Sequence, residues 1–159
     1  MRLVSDTALA VLTIWTEAQG ESYEGKVAVA EVIRNRMKQK YTSDGTVAGT
    51  VAWRYQFSAW NDDAGDNQLL IRALKLDDGD TIVKDCTRAW LETNNNGTNV
   101  AKGALLYLNP RAVPVSPAWV KNSDEVARIG HHVFYVPRDR KSTRLNSSHI
   151  QKSRMPSSA

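Results

Sequence analysis

Two glutamates, Glu17 and Glu21, flank the junction between two segments with helical patterns. The first segment, Thr7 to Ala18, is apolar on nearly every side of a helical wheel, which is typical of a helix buried in a core. A carboxylic acid held among apolar neighbours keeps its proton to higher pH, as a general acid at neutral pH requires. The pattern makes Glu17 a candidate catalytic acid, and an exposed glutamate at a helix end is the alternative that it leaves open. Gly20 is expected to end this helix in the left-handed conformation.

Other reactive side chains are better explained by structure than by chemistry. Cys86 lies in the middle of a predicted helix on its apolar face, where a small buried thiol is more common than a nucleophile. His131 and His132 are neighbours in a segment with a strand pattern, so their side chains point to opposite faces and would not share a metal ion. We therefore predict neither a metal site nor a cofactor.

Carboxylates remain as the candidates for catalysis. Glycosidases commonly use two of them on either side of the bond that is cut. Flat aromatic faces suit sugar rings, although aromatic side chains more often belong to a core. The further acids are Glu21, Glu24, Asp62, Asp63 and Asp66, and the aromatic candidates are Trp60, Tyr107, Trp119 and Tyr135.

Periodicity and capping residues predict a single α+β domain that is mainly helical, with a small β element near its C-terminal end. The predicted helices are Thr7–Ala18 with Asp6 as its N-cap, Tyr23–Lys40, Thr46–Trp53, Leu69–Leu76, and Thr81–Thr93 with Asp80 as its N-cap. Two apolar runs, Ala104–Leu108 and Val133–Val136, are expected to pair as antiparallel strands. Four basic residues of the second helix are expected to be solvated: Lys26, Arg34, Lys38 and Lys40.

The positive net charge of +4 comes from the end of the chain. Residues 138–159 hold six basic residues and one acidic residue, which leaves 15 basic and 16 acidic residues in the rest. This tail is poor in apolar residues, as disordered segments are. We place the end of the domain at Pro137. We interpret 138–159 as a basic disordered tail, and as a non-native assembly scar because it resembles translated sequencing-adapter DNA.

The start of the chain has no convincing targeting segment. The apolar stretch from Ala8 to Trp15 is short and Asp6 interrupts its approach, so we predict no signal peptide and no membrane span. The single cysteine excludes a disulfide within the chain.

Five motifs in the same order resemble the SleB-type cell wall hydrolases, which are the spore cortex-lytic enzymes and their phage relatives. The resemblance extends from about Asp6 to Pro137. The motifs are Glu17-Ala-Gln-Gly-Glu21 with Gly25-Lys-Val-Ala-Val-Ala and Ile33-Arg-Asn-Arg36, then Gln56-Phe57-Ser58, Tyr107-Leu-Asn109-Pro110, Pro117-Ala-Trp119, and Ile129-Gly130-His131-His132-Val-Phe134-Tyr135.

The resemblance implies a lysozyme-like fold, akin to lytic transglycosylases, that cuts peptidoglycan glycan strands. By motif position the catalytic glutamate is Glu17. The positions implied to line the substrate groove are Glu21, Gln56, Ser58, Tyr107, Asn109, Trp119 and His132, of which Glu21 and His132 have structural roles as alternatives. The chain departs from the family pattern at Gln19, where arginine is common, and at Thr16, where glycine is frequent. These changes put the substrate preference in doubt.

The implied reaction cuts between N-acetylmuramic acid and N-acetylglucosamine. The lytic transglycosylase route, which leaves a 1,6-anhydro end, is favoured over a hydrolytic muramidase because no second carboxylate is clearly placed. A non-catalytic peptidoglycan-binding or virion module, or a nucleic-acid binder acting through the tail, stays open. The expected partner is peptidoglycan rather than nucleic acid, and a monomer is expected. The site of action is the bacterial cell wall, with the host cytoplasm before release if a phage encodes the chain.

Overall fold

The computed structural model describes residues 3–53, 56–57, 60 and 67–138. Within these ranges the chain forms helices first and a sheet afterwards. The helices are α1 (Asp6–Ala18), α2 (Tyr23–Gln39), α3 (Val47–Val51), α4 (Asn67–Leu74) and α5 (Thr81–Asn96), and a 3₁₀ helix spans Ala118–Asn122. The strands are β1 (Leu106–Leu108), β2 (Ser123–Ile129) and β3 (His132–Pro137).

The predicted helices are confirmed, with small shifts at their ends. The N-cap of α1 is Ser5 and not Asp6, since the Ser5 side chain accepts a hydrogen bond from the Ala8 amide at 3.0 Å. Asp6 is then the first helical residue, where its negative charge suits the positive end of the helix dipole. Asp80 caps α5 as predicted, and Gly97 ends that helix in the left-handed conformation with φ of 66°.

The sheet has the order β1-β3-β2, and both pairings are antiparallel. The predicted pairing of the two apolar runs is therefore confirmed as β1 with β3. Strand β2 was not predicted, because it is a half-exposed edge strand rich in charge and its alternation breaks at an irregularity between Glu125 and Ala127. Gly130, with φ of 59°, makes the tight turn from β2 to β3.

The two faces of the sheet meet different parts of the core. On one face Tyr107 and Phe134, which are register partners, join the main core formed with the helices. On the other face Leu106, Leu108, Val133 and Tyr135 form a second cluster with Trp119. Because alternate strand residues point to opposite faces, the short β1 contributes to both clusters.

Helices α1, α2 and α5 supply most of the main core. Cys86 is fully buried there, as predicted, and burial raises the pKa of its thiol to about 12. A thiol with such a pKa stays protonated at neutral pH, which agrees with a packing role.

The C-terminal strand ends at Pro137. Arg138, assigned to the tail by its sequence, still contacts the domain, since its Nε donates to Asp124 Oδ1 at 2.9 Å. Among the described residues, no helix is both long enough and apolar enough to cross a membrane.

Candidate active site

Glu17 lies in the last turn of α1 and faces the sheet. The hydroxyl of Tyr107, on β1, donates to Glu17 Oε1 at 2.6 Å. Tyr107 is fully buried, whereas Glu17 is partly exposed. Burial, followed by the nearby Glu17, raises the pKa of Tyr107 well above its usual value. The phenol therefore remains a hydrogen-bond donor at any pH at which the protein would work.

A buried arginine, Arg36 on α2, interacts electrostatically with this pair. Its Nε donates to the Leu105 carbonyl at 2.7 Å, and its guanidinium carbon lies 5.0 Å from the centre of the Phe57 ring. Burial lowers the pKa of Arg36 to about 10, and the nearby Tyr41, Tyr107 and Glu17 oppose that shift. Arg36 is therefore still charged at neutral pH and adds a fixed positive charge beside the carboxylate.

Polar side chains of α2 fix the segment that leads into β1. The buried carboxylate of Glu31 accepts hydrogen bonds from the amides of Val100 and Ala101, both at 2.8 Å. Asn35 donates to the Ala104 carbonyl at 3.0 Å. Together with Arg36 these contacts set the position of β1, and through it the position of the Tyr107 hydroxyl.

His132, the first residue of β3, packs against the same tyrosine. The two rings meet edge to face, with their centres 5.0 Å apart. Burial lowers the pKa of His132, while the charge of Glu21 opposes that shift. His132 is thus neutral at neutral pH.

Glu21 contacts the β2–β3 turn. Its Oε1 accepts from the His131 amide at 3.0 Å, and its Oε2 lies 2.8 Å from His131 Nδ1. Burial raises the pKa of Glu21, but the hydrogen bonds from His131 outweigh it and the net pKa is lowered. A side chain at Gly130 or Gly25 would collide with Glu21, so both glycines make room for this contact.

The turn between α1 and α2 differs from the sequence-based expectation in two respects. Lys26, expected to be solvated, is 4% exposed, because its ammonium group donates to the carbonyls of Gln19 and Glu21. Its charge thereby offsets the negative end of α1. Gly20 is not in the left-handed conformation, and the C-cap residue of α1, Gln19, has ordinary right-handed geometry.

The remaining predicted site residues are spread over the molecule. Gln56 is buried, and Asn109 uses its side-chain oxygen to accept from the Arg111 amide at 3.0 Å. Trp119 lies in the second cluster, on the opposite face of the sheet from Tyr107, and is not brought together with Glu17. Ser58 and the acids Asp62, Asp63 and Asp66 lie outside the described residues.

The sequence reasoning singled out Glu17 and Tyr107 but missed Arg36 and Glu31. For Arg36 the available signal was its helical spacing, since it lies on the same face of α2 as Val29, Val32 and Ile33. Glu31 lies on another side of the helix and carried no such signal. Buried charges are costly unless they are paired, and both residues are used here to hold backbone. The described part of the chain contains no cluster of three or more His, Cys, Asp or Glu side chains able to hold a metal ion.

Comparison with known proteins identifies the class to which this fold and site belong. The Cell Wall Hydrolase family model matches residues 20–135, so the chain belongs to the Cell Wall Hydrolase family. The match begins just after Glu17. The family predicted from the motifs is thereby confirmed.

Individual relatives are spore cortex-lytic enzymes. The chain is 31% identical over 130 residues to that of Oceanobacillus iheyensis, a match that covers 82% of this chain and 41% of the relative. It is 30% identical over 130 residues to the spore cortex-lytic enzyme of Bacillus subtilis, a match that covers 82% of this chain and 37% of the relative. The chain thus spans less than half the length of these relatives.

Solved structures agree with the predicted lysozyme-like fold. The catalytic domain of the germination-specific lytic transglycosylase SleB from Bacillus anthracis superposes with a TM-score of 0.64 at 27% identity, covering 86% of this chain and 99% of that one. The catalytic domain of the Bacillus cereus SleB protein gives a TM-score of 0.59 at 28% identity, covering 82% and 89%.

Proposed function

We propose that the chain cleaves peptidoglycan glycan strands between N-acetylmuramic acid and N-acetylglucosamine, with Glu17 as the general acid and base. The observation that carries the proposal is the hydrogen bond from the buried Tyr107 hydroxyl to Glu17. It holds a partly exposed carboxylate at a helix end, where a substrate can reach it. Membership of the Cell Wall Hydrolase family supports peptidoglycan as the substrate.

In the proposed reaction Glu17 donates its proton to the glycosidic oxygen as the bond to that oxygen breaks. The sugar then carries an oxocarbenium-like charge, which its own C6 hydroxyl meets by attack at C1. Glu17 takes back the hydroxyl proton, so it ends the cycle protonated and the product carries a 1,6-anhydro end. The positive charge of Arg36 and the Tyr107 hydroxyl stabilise the carboxylate that exists between the two proton transfers.

A transglycosylase outcome is favoured because Glu21, the nearest acid in the sequence, is tied to the β2–β3 turn. A hydrolytic enzyme needs a base that activates water, and Glu21 uses both of its oxygens on His131. Its lowered pKa suits a permanently charged structural group. The similarity to the catalytic domain of a germination-specific lytic transglycosylase supports the same outcome.

Around Glu17 we propose that His132, Asn109 and Gln56 line the groove. His132 is held against Tyr107, and Asn109 directly follows β1. We do not include Trp119, because it packs on the other face of the sheet. The same proposal places the site of action at the bacterial cell wall.

The test is mass spectrometry of the fragments released from purified peptidoglycan by the wild-type chain, Glu17→Gln and Glu24→Gln. Glu24 is an exposed acid at the start of α2 and provides a matched change of charge. We expect anhydro-muramyl products from the wild type and Glu24→Gln and none from Glu17→Gln.

Reducing ends in place of anhydro ends would indicate that water, and not the sugar hydroxyl, is the nucleophile. Cleavage that survives in Glu17→Gln would refute the assignment of the acid. Binding to peptidoglycan without any cleavage would indicate a non-catalytic module.

A further inference from the structure

A cavity of about 240 Å³ lies beside the β2–β3 turn and has a basic lining. Arg111, Arg128 and His131 contribute to it, together with Gly130 and His132. Small-molecule sites in proteins usually measure about 300–1,000 Å³, so this cavity suits one small group rather than a pair of sugar rings.

The cavity adjoins the proposed active site through one shared side chain. His132 lines the cavity and also packs its ring against Tyr107, whose hydroxyl binds Glu17. Arg111 follows Asn109 and Pro110 directly after β1, and its amide is held by the Asn109 side chain at 3.0 Å. His132 and Tyr107 thus connect the lining of the cavity to Glu17.

Within the described part of the chain, Arg111 is the basic residue of this cavity whose charge has no acidic partner. Arg128 forms two hydrogen bonds with Glu125, at 2.7 and 2.9 Å, and His131 is bound by Glu21. Among the residues that the structure describes, no carboxylate forms an ion pair with Arg111. An exposed guanidinium at the edge of a cavity is suited to an anionic ligand.

We propose that this cavity binds a carboxylate of the peptide stem of peptidoglycan, with Arg111 as the residue that recognises it. The inference rests on the proposed function. Stems are attached to N-acetylmuramic acid and not to N-acetylglucosamine, and they carry free carboxylates. Arginine pairs with a carboxylate through two parallel hydrogen bonds, which gives direction as well as affinity. Recognition of the stem would therefore select which sugar enters on the cavity side of Glu17.

The neighbouring Glu125 limits this site. Its carboxylate forms an ion pair with Arg128 and repels a second carboxylate nearby. Removal of the Glu125 charge would free the Arg128 guanidinium, so the two arginines would then act together on the ligand. The proposal thus predicts effects of opposite sign at two exposed residues.

The experiment measures ligand binding to the full chain carrying Glu17→Gln, which separates recognition from cleavage. The ligands are a peptidoglycan tetrasaccharide with peptide stems, the same compound with its stem carboxylates amidated, and the tetrasaccharide without stems. We expect the first to bind about three to ten times more tightly than the other two, as suits one partly exposed charged pair.

Three further substitutions in the same background locate the effect. Arg111→Gln should abolish the preference for the charged stem, and Glu125→Gln should increase it. Lys84→Gln, which removes an exposed positive charge on α5, should leave it unchanged. The thermal midpoint of each variant checks that it is folded.

Equal binding of the three ligands, or no binding of the stem-bearing one, would overturn the inference. So would a preference that survives in Arg111→Gln. None of these results bears on cleavage by the wild-type chain. The proposed function fails separately, if the wild type releases no glycan fragments from purified peptidoglycan.

Discussion

Glu17 and Glu21 are four residues apart, and both join the helical part of the molecule to the sheet. Glu17 accepts a hydrogen bond from the side-chain hydroxyl of Tyr107, which lies on β1. Glu21 accepts a hydrogen bond from the backbone amide of His131, in the turn between β2 and β3, and also contacts the His131 ring. Two glutamate side chains thus have different partners. Glu17 binds a side-chain hydroxyl, and Glu21 binds the backbone and ring of a turn residue.

The difference shows how one kind of residue is adapted to two tasks. Both oxygens of Glu21 are bound by a single turn, two glycines leave space for it, and its pKa is lowered. Such a group stays charged and stabilises the fold. Glu17 contacts a buried phenol from a partly exposed position, with a charged Arg36 nearby. That arrangement holds a carboxylate in place while leaving it able to exchange a proton with a substrate.

The largest expected effect is on the rate of glycan cleavage. Loss of a general acid typically costs about 10²–10⁴-fold in rate, and we expect a loss in this range for Glu17→Gln. Glu21→Gln should reduce the rate less than tenfold, because it acts only through the position of the turn. Rates of fragment release from purified peptidoglycan compare the two variants. Equal losses would mean that both carboxylates act on the substrate.

The second prediction concerns the donor to Glu17. Tyr107→Phe removes the hydroxyl and keeps the ring that packs against His132 and Phe134. A hydrogen bond to a charged group contributes about 1.5–3 kcal/mol, so we expect the rate to fall by roughly ten- to a hundredfold. Tyr135→Phe is the matched control, since this tyrosine packs on the opposite face of the sheet. An unchanged rate in Tyr107→Phe would remove the hydroxyl from the mechanism.

The third prediction concerns stability, for which Glu21 is expected to matter more than Glu17. Glu21→Ala loses both contacts with His131, and we expect the free energy of unfolding to fall by about 2 kcal/mol. Glu17→Ala loses the hydrogen bond from Tyr107 at a partly exposed position, and we expect a cost of about 1 kcal/mol or less. Urea unfolding followed by fluorescence measures both. If Glu17→Ala proved the more destabilising, the division between a structural and a catalytic glutamate would be wrong.

The smallest effect is on the pH dependence of stability. Burial lowers the pKa of His132, so the unfolded chain binds the proton more readily. Stability should therefore fall as the pH drops below about 6.5, the unfolded value of histidine. For Glu21, the opposing effects leave the folded pKa lowered, so its contribution should be lost only below the unfolded value of about 4.3.

The two pH windows can be separated by substitution. His132→Phe should flatten the change in stability between pH 7 and about 5, and Glu21→Gln should flatten the change below about 4.3. Unfolding curves across this range test both. A loss of stability near pH 6 that persists in His132→Phe would have to come from another group.

Much of the fold follows from local patterns in the sequence. The 3.6-residue period and the capping residue Asp80 predicted the helices, and the apolar runs predicted β1 and β3. These patterns are reliable because the contacts behind them lie within four residues along a helix or between alternate residues of a strand. Family motifs singled out Glu17 and Tyr107 by position, without any knowledge of their geometry.

Tertiary structure decided the partners of these residues. The hydrogen bond between Tyr107 and Glu17 joins residues 90 positions apart, and the one between the buried Glu31 and Val100 joins residues 69 positions apart. Edge strand β2 was missed because half of it faces solvent and its alternation breaks. Lys26 was expected to be solvated because its charge alone is visible in the sequence. The carbonyls that bind it converge only when the turn after α1 folds back, since hydrogen-bond partners of buried polar groups depend on packing rather than on local order.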